Sequence, residues 1–332
     1  MSMRLNNAQL ANFIDRIKLK RDNMPKYRDQ INNLIERLDA KIKNDTRTEI
    51  KVTQFTIAGS WKKGTILRHT GENPIDIDLV LYVSGDENLK DDLKRLHDFV
   101  VGYLGEIYPT KDIYKDVDAD GNTKSIKIKF TGTGLEVDIV PVISVSSPKD
   151  YVWQPQRGGG GKKYITSVTK QLEFAKERRT RNSSFTSVVR AIKWWRNFKE
   201  LKPTDNEPGL SSFVIELIAS HLEIEKNNET DIEAGIIRFF KFVSDPNFPI
   251  IKFKNAINSL PAFHTPVYVA DPSNNENNAA KKTDTQIWNE IVRESNVAFE
   301  SLCIAQSKNF EGDTIDEWKR VFGSAFNITN EN

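Results

Sequence analysis

Two aspartates lie two positions apart at the start of an apolar run in this chain. Asp76 and Asp78 lead into the sequence LVLYV, which is typical of a buried β-strand. Side chains at this spacing on a strand share a face, so the two carboxylates repel each other. Divalent cations remove that repulsion, and Mg²⁺ prefers carboxylate oxygens together with phosphate oxygens. The pair indicates a metal site that handles phosphates; exposure at a strand end, after a turn at Pro74, is the alternative.

A third carboxylate lies inside a second apolar strand pattern. Asp138 occurs in LEVDIVPVI, residues 135–143, with Glu136 two positions before it. A buried aspartate without a partner would be costly in free energy. If this strand lies beside the one predicted at 77–83, Asp138 faces the aspartate pair, and three carboxylates come together.

A Gly-Ser pair between a strand pattern and a short helix pattern offers a place for phosphates. Gly59 lets the backbone approach a ligand closely, and Ser60 offers an N–H group and a hydroxyl. The start of a helix adds free N–H groups and a partial positive charge. Alone, the pair is most often a turn and a helix cap. Opposite three carboxylates, it completes the parts of a two-metal phosphoryl-transfer site, with one metal at the attacking hydroxyl and one at the leaving pyrophosphate.

The elements that must position these residues divide the chain in two. Apolar residues have helical spacing over 5–43, and Pro25 is expected to break that run near Asn23 and Met24. Strand patterns follow at 52–58, 77–83, 124–130 and 135–143, with helical spacing at 87–104. Four glycines in the stretch 157–163 then interrupt regular structure. We predict one domain at 1–155 and a second at 164–332.

The second domain has helical spacing almost throughout. Helices are predicted at roughly 166–180, 184–200, 210–223, 229–243, 282–305 and 308–322, with a linker at 201–208 between two of them and the polar stretch 271–282 between two others. The expected fold class is α+β, with a mixed-sheet N-terminal lobe that includes a long N-terminal helix, and a helical C-terminal lobe.

Positive charge is concentrated just after the glycine run. Residues 157–202 contain thirteen Lys and Arg against three Glu, in a chain whose net charge is +2. Lys193 lies in this segment beside Trp194 and Trp195. An ordinary solvated helix surface explains most of these residues, but the concentration also suits a triphosphate or another anionic ligand.

Composition excludes several classes of protein. The chain has 332 residues, one cysteine (Cys303) and four scattered histidines, so a disulfide framework and a zinc site are not expected. No apolar run approaches the ~18 residues of a membrane helix, and the first residues lack the apolar core of a signal peptide. We expect a cytoplasmic protein without a membrane partner.

These motifs, in this order, resemble the polymerase-β-type nucleotidyltransferases. More narrowly, the chain is similar to the oligoadenylate synthases and to the bacterial cyclic GMP-AMP synthase-like (CD-NTase) enzymes of anti-phage signalling. The similar segments are GSWKKGTILR at 59–68, the aspartates, IKWWRN at 192–197, PGLSSFVIELI at 208–218 and PVYVADPSNNENN at 266–278. The resemblance covers most of the chain and implies a two-lobed nucleotidyltransferase fold whose catalytic core is residues 1–155.

The resemblance also implies a role for each metal ligand. Asp76 and Asp78 would hold two Mg²⁺ ions, for which Mn²⁺ can substitute. Asp138 would complete the metal site where the acceptor hydroxyl is deprotonated. Gly59 and Ser60 would bind the phosphates of the donor nucleotide.

The helical lobe would contribute the remaining nucleotide contacts. By resemblance, Lys193 reaches the triphosphate and Ser212 touches the phosphates. Phe213 stands where the family usually has a tyrosine that stacks on a base. The implied enzyme joins NTPs, ATP among them, into a short cyclic oligonucleotide messenger and releases pyrophosphate. An effector protein would respond to the messenger, and a regulatory partner is left open.

Further expectations follow from features that some members of the family have and this chain lacks. No Cys/His zinc insertion occurs, and the net charge of +2 is small for a double-stranded nucleic-acid sensor, so activation by nucleic acid is not expected. Two alternatives remain open: an enzyme that adds nucleotides to an RNA end, as CCA-adding enzymes do, and a catalytically inactive nucleotide-binding scaffold. The first needs a tRNA-grasping region, and the second has no need for three repelling carboxylates.

Overall fold

The chain forms two compact units in the computed structural model. The structure describes residues 4–70, 73–85, 87–117, 123–155, 163–203, 208–225 and 230–329. The sheet unit is residues 19–172, and the helical unit joins residues 1–18 to residues 173–332. In the residues described, no helix is both long and apolar enough to cross a membrane.

A mixed β-sheet is the centre of the sheet unit. Its strands among the described residues are β1 (Lys51–Ile57), β2 (Ile75–Ser84), β3 (Ile113–Val117), β4 (Thr123–Phe130), β5 (Leu135–Ser144), β6 (Val152–Pro155) and β7 (Lys163–Thr166). The order is β1-β2-β5-β4-β3, with β6 paired to β5 and β7 paired to β6. β2 and β5 run parallel, whereas the other described pairs are antiparallel.

Alternation along the two central strands builds the core on one face of the sheet. On β2, Ile75, Ile77 and Leu79 are buried with Val137 and Ile139 of β5. Two helices supply apolar side chains to the same core, namely α2 (Met24–Lys43) and α4 (Leu93–Ile107). Each fully buried side chain of this size contributes about 1.5–3 kcal/mol of transfer free energy. Because side chains alternate along a strand, the residues between these apolar positions on β2 and β5 point to the opposite face of the sheet.

The helical unit contains a short helix from the start of the chain. α1 (Asn7–Ile17) places Phe13 against Phe322 and Phe326, with ring centroids 5.3 and 4.9 Å apart. The other described helices are α5 (Val168–Arg181), in which the unit boundary falls, α6 (Phe185–Phe198), α7 (Ser212–Glu225), α8 (Ile232–Val243), α9 (Thr285–Ser307) and α10 (Glu311–Phe322). α3 (Gly59–Lys63), in the sheet unit, completes the described α-helices, and two 3₁₀ helices occur at Arg21–Asn23 and Glu87–Lys90.

The contacts divide the chain at different positions from the predicted boundary. The prediction separated 1–155 from 164–332, whereas β6 and β7 on either side of that boundary pair with each other in the sheet unit. The predicted helical run at 5–43 does break before Met24, since α2 begins there with Pro25 in its first turn. The break leaves α1 with the helical unit and α2 with the sheet unit. The four glycines of the predicted break, residues 158–161, lie outside the described residues.

The polar stretch 271–282, for which the sequence predicts no strand, forms part of an ordered ribbon. β8 (Ala270–Asp271) pairs with β9 (Asn274–Asn278). The side chain of Asn275 is buried, accepts a hydrogen bond from the Phe253 N–H at 3.1 Å and donates one to the Phe253 carbonyl at 3.1 Å. Side-chain amides thus satisfy backbone groups that strand pairing would otherwise satisfy. Hydropathy alone does not distinguish such a segment from a linker.

Replacing Asn275 by alanine should destabilise the helical unit. The change leaves the buried N–H and carbonyl of Phe253 without these partners, and we expect a loss of about 2 kcal/mol in the free energy of unfolding. Urea unfolding measures this loss. Asn289→Ala, on an exposed face of α9, is the matched control. Equal stability of the two variants would show that the Asn275 hydrogen bonds are not structural.

Candidate active site

The parallel pairing of β2 and β5 brings the predicted carboxylates onto one face. Asp78 is the register partner of Asp138, and Asp76 is the partner of Glu136. Asp78 and Asp138 are half-buried, and Asp76 is exposed. The strand adjacency on which the metal prediction depends is therefore present, and Glu136 is a fourth carboxylate that the prediction did not use.

Gly59 lies directly against one of these carboxylates. Its φ is +56°, and a Cβ built on it would stand 1.7 Å from Oδ2 of Asp78. The neighbouring Ala58 N–H donates a hydrogen bond of 2.8 Å to the Asp78 carbonyl, which fixes the end of β1 beside β2. Only glycine suits both the left-handed conformation and the close approach. The sequence indicated that Gly59 lets a ligand approach the backbone closely. The structure shows that Gly59 also lets the Asp78 carboxylate approach the backbone.

Ser60 is the second residue of the short helix α3. The helix begins at Gly59 and ends before Gly64, which has φ +71°. The first N–H groups of any helix lack carbonyl partners within it. Ser60 thus lies one residue beyond the glycine that packs on Asp78, and its half-buried side chain lies in the same unit as the three aspartates.

Sequence reasoning missed a lysine in this cluster. Lys127 of β4 is the register partner of Asp138, and its Nζ lies 3.2 Å from Oε2 of Glu136 and 3.8 Å from Oδ1 of Asp138. Burial alone lowers the pKa of Lys127, but the charges of Asp138, Asp76 and Glu136 outweigh it, and the net pKa is raised. The signal was available, because the alternation KSIKIKF places lysines on one face of β4.

Glu136 is shared between two lysines. Its Oε1 lies 3.0 Å from Nζ of Lys129, and its Oε2 accepts the hydrogen bond from Lys127. Burial raises the pKa of Glu136, but the hydrogen bonds from Lys129 and Lys127 outweigh that effect, and the net pKa lies below the usual range. Glu136 therefore carries its charge at neutral pH.

The donor set fits a divalent cation that binds together with a nucleotide. Carboxylate oxygens from Asp76, Asp78 and Asp138 are hard ligands of the kind Mg²⁺ prefers. Across the described ranges, no group of three or more His, Cys, Asp or Glu side chains is arranged to hold a metal ion by itself. Mg²⁺ needs no such group, since it usually binds one or two carboxylates and takes its other ligands from phosphates and water.

The helical unit holds the other predicted site residues. Lys193 is buried on α6, and Ser212 and Phe213 are half-buried at the start of α7. The structure thus places these three in one unit and Gly59, Ser60 and the three aspartates in the other. Their joint action on one nucleotide stays a prediction.

Arg196, one turn after Lys193 on α6, is a second residue that sequence reasoning missed. Its Nη1 donates to the Ser212 hydroxyl and to the Leu210 carbonyl, both at 3.1 Å. Burial lowers the pKa of Arg196 to about 10, against an opposing effect of Glu216. Arg196 remains charged at neutral pH and orients the hydroxyl of Ser212. Its spacing of three from Lys193 was the available signal.

The sequence of this chain matches a known protein family. Residues 3–182 match the Second Messenger Oligonucleotide or Dinucleotide Synthetase (SMODS) domain, which is more than half of the chain. The chain belongs to this family. The predicted resemblance to bacterial CD-NTases is confirmed, as is the assignment as a nucleotidyltransferase.

Full-length relatives agree with this assignment. The SMODS-family chain is 32% identical over 327 residues to the CBASS oligonucleotide cyclase CdnC of Escherichia coli strain KTE188, covering 98% of this chain and 99% of the relative. The solved structure of E. coli MS115-1 CdnC with ATP has a TM-score of 0.78 and 26% identity, over 97% of this chain and 99% of that one. The CdnC:HORMA-deltaN complex gives 0.75 and 25%, over 97% and 98%. The predicted α+β, two-lobed fold class is confirmed.

Replacing Gly59 by alanine should abolish most nucleotide turnover by this SMODS-family chain. The new Cβ would occupy the position of the Asp78 carboxylate, and a displacement of about 1 Å at a reacting centre costs on the order of 10²-fold in rate. The rate of pyrophosphate release measures the effect. Gly102→Ala is the control, because a Cβ at Gly102 on α4 meets no atom within 4 Å. Near-normal turnover by Gly59→Ala would contradict the placement of Asp78 in the active site.

Proposed function

We propose that this chain is a metal-dependent nucleotidyltransferase that joins NTPs into a short cyclic oligonucleotide messenger for anti-phage signalling. The observation that carries the proposal is the register of Asp78 with Asp138, beside Gly59, in a chain of the second-messenger synthetase family. In each step an acceptor hydroxyl loses its proton to water, and its oxygen bonds to the α-phosphorus of a donor NTP. The bond from that phosphorus to the oxygen bridging to the β-phosphate breaks, and pyrophosphate leaves.

The three aspartates have different proposed roles at the reacting phosphate. Bound Mg²⁺, or Mn²⁺ in its place, would supply Lewis acidity and would neutralise the developing negative charge. Asp76 and Asp78 would hold the two ions, and Asp138 would complete the metal site where the acceptor hydroxyl is deprotonated. The half-buried setting of Asp78 and Asp138 limits water access, which strengthens electrostatic interactions there.

Residues of each unit are proposed, by the family resemblance, to contact nucleotide. Gly59 and Ser60 offer backbone N–H groups to the donor phosphates. Lys193 reaches the triphosphate, Ser212 contacts the phosphates in the orientation that Arg196 imposes, and Phe213 stacks on a base. A phenylalanine retains the stacking surface that a tyrosine would offer.

The partners follow from the chemistry and from the relatives. ATP is proposed as one substrate, in keeping with the ATP named in the CdnC structure. A HORMA-type protein is proposed as a regulatory partner, by similarity to the CdnC:HORMA-deltaN complex, and an effector protein is proposed to bind the messenger. We propose the cytoplasm as the location because NTPs are abundant there. The net charge of +2 does not favour activation by nucleic acid.

Identification of the product tests the function. The purified chain is incubated with four labelled NTPs and Mg²⁺ or Mn²⁺, and the products are treated with phosphatase and analysed by mass spectrometry. A phosphatase-resistant cyclic oligonucleotide is expected, and its mass gives base composition and ring size. If no product forms, the same assay is repeated with a HORMA-type partner. Label that appears only on added RNA would contradict messenger synthesis and favour RNA-end addition.

Removing charge from the aspartate pair should eliminate this product. Asp76→Asn and Asp78→Asn keep the side-chain volume but remove the negative charges that hold the metals, so turnover should fall by at least about 10³-fold. Asp316→Asn, on an exposed face of α10, is the matched control. Thermal unfolding checks that each variant is folded. Retained turnover in either active-site variant would overturn the metal assignment.

Truncating Lys193 should weaken NTP binding more than it weakens the fold. Loss of a charge-assisted contact to the triphosphate should raise the Kd for ATP about tenfold or more in Lys193→Ala. Calorimetric titration with ATP gives this Kd, and urea unfolding gives the stability. Lys319→Ala, at an exposed position on α10, serves for comparison. Unfolding of Lys193→Ala with unchanged ATP affinity of its folded fraction would assign Lys193 to the core instead.

A further inference from the structure

Lys127 lies next to Asp138, the third of the predicted carboxylates. β4 pairs antiparallel with β5, so that Lys127 stands opposite Asp138. Its Nζ is 3.8 Å from Oδ1 of Asp138 and 3.2 Å from Oε2 of Glu136. The Lys127 side chain is 17% exposed and that of Asp138 is 19% exposed, so water screens their interaction only partly.

The surroundings of Lys127 are strongly negative. Asp76, Asp78, Glu136 and Asp138 occupy two register pairs on one face of two adjacent strands. Neighbouring strands lie about 4.8 Å apart, so the four carboxylates repel one another before any metal binds. An ammonium group among them offsets part of that repulsion. The same group must also oppose a divalent cation that approaches Asp138, because both are positive.

Lys129 provides a natural comparison two residues along the same strand. It lies on the same face, 3.0 Å from Oε1 of Glu136, and its Nζ is 5.3 Å from the centre of the Tyr114 ring. Its register partner is Glu136, whereas the register partner of Lys127 is Asp138. The Lys129 side chain is 38% exposed, so its charge is more strongly screened. The two lysines thus carry equal charge, but only Lys127 is in register with the proposed metal ligand Asp138.

We propose that Lys127 is a positioning residue that acts as a built-in counter-cation for the catalytic carboxylates. It stabilises their arrangement before metal and nucleotide bind, and it weakens metal binding at Asp138 until the phosphates of a bound nucleotide add their negative charge. Loading of the acceptor-side metal thereby depends on substrate. This inference rests on the proposed function, since it takes Asp138 as a metal ligand.

The test uses Mn²⁺ as the probe, without nucleotide. Electron paramagnetic resonance of free Mn²⁺ gives its affinity for the wild-type chain, Lys127→Met and Lys129→Met. Lys127→Met should bind Mn²⁺ about tenfold more tightly than wild type, and Lys129→Met should change the affinity by less than about threefold. Lys127→Gln, which keeps hydrogen-bond donors but not the charge, should follow Lys127→Met.

Thermal unfolding provides a readout that does not depend on activity. In EDTA, Lys127→Met should unfold at a Tm about 3 °C below that of Lys129→Met, because the carboxylates then repel without a counter-charge. At saturating Mn²⁺ the difference should vanish or change sign. A Tm deficit of Lys127→Met that persists in Mn²⁺, with unchanged Mn²⁺ affinity, would assign Lys127 to packing alone and overturn the inference.

A further variant separates this inference from the proposed function. Asp78→Asn should abolish the Mn²⁺ binding. If it does, and the two lysine variants bind Mn²⁺ equally, the role of Lys127 is wrong while the metal site stands. If Asp78→Asn binds Mn²⁺ as wild type does, the metal assignment fails, and the role of Lys127 fails with it.

Discussion

The site depends on the mutual repulsion of carboxylates that the sheet holds in register. Parallel pairing of β2 with β5 fixes Asp78 beside Asp138, and the alternation of each strand leaves the apolar neighbours on the buried face. A large core therefore opposes any movement that would separate the charges. The repulsion is a cost in free energy that the folded sheet bears, and the divalent cations that we propose to bind here would remove it. A sheet stabilised by its other face can hold a reactive arrangement of charges in this way.

Two neighbouring elements adapt to that charge in different ways. At the end of β1, only glycine fits at position 59, because the Asp78 carboxylate occupies the space that a side chain would need. On β4, Lys127 and Lys129 contribute positive charge, and Glu136 joins them. In the helical unit, buried Arg196 holds Ser212 through a hydrogen bond. On β1 and β4, the residue beside a proposed metal ligand suits the space and charge of that ligand, which links local packing to the chemistry.

The sequence allowed the central part of this arrangement to be predicted. Strand alternation placed the three aspartates on polar faces, and their types pointed to divalent metal and phosphate. The contact of Lys127 with Asp138 depends on the register of β4 and β5, and a slip of one residue would turn Lys127 to the other face. Hydrophobic periodicity shows that α1 has an apolar face but not which unit buries it. The burial of Asn275 could not be predicted from its polar sequence neighbours, because it depends on hydrogen bonds to Phe253, a residue distant in sequence.

Crystallography of the chain with Mn²⁺ and a non-hydrolysable ATP analogue tests the central claim most directly, because anomalous scattering locates Mn²⁺ independently of the protein atoms. We expect anomalous peaks within coordination distance of carboxylate oxygens of Asp76, Asp78 and Asp138 and of the phosphates of the analogue. An analogue bound with its phosphates away from these residues, or Mn²⁺ bound only elsewhere, would contradict that claim.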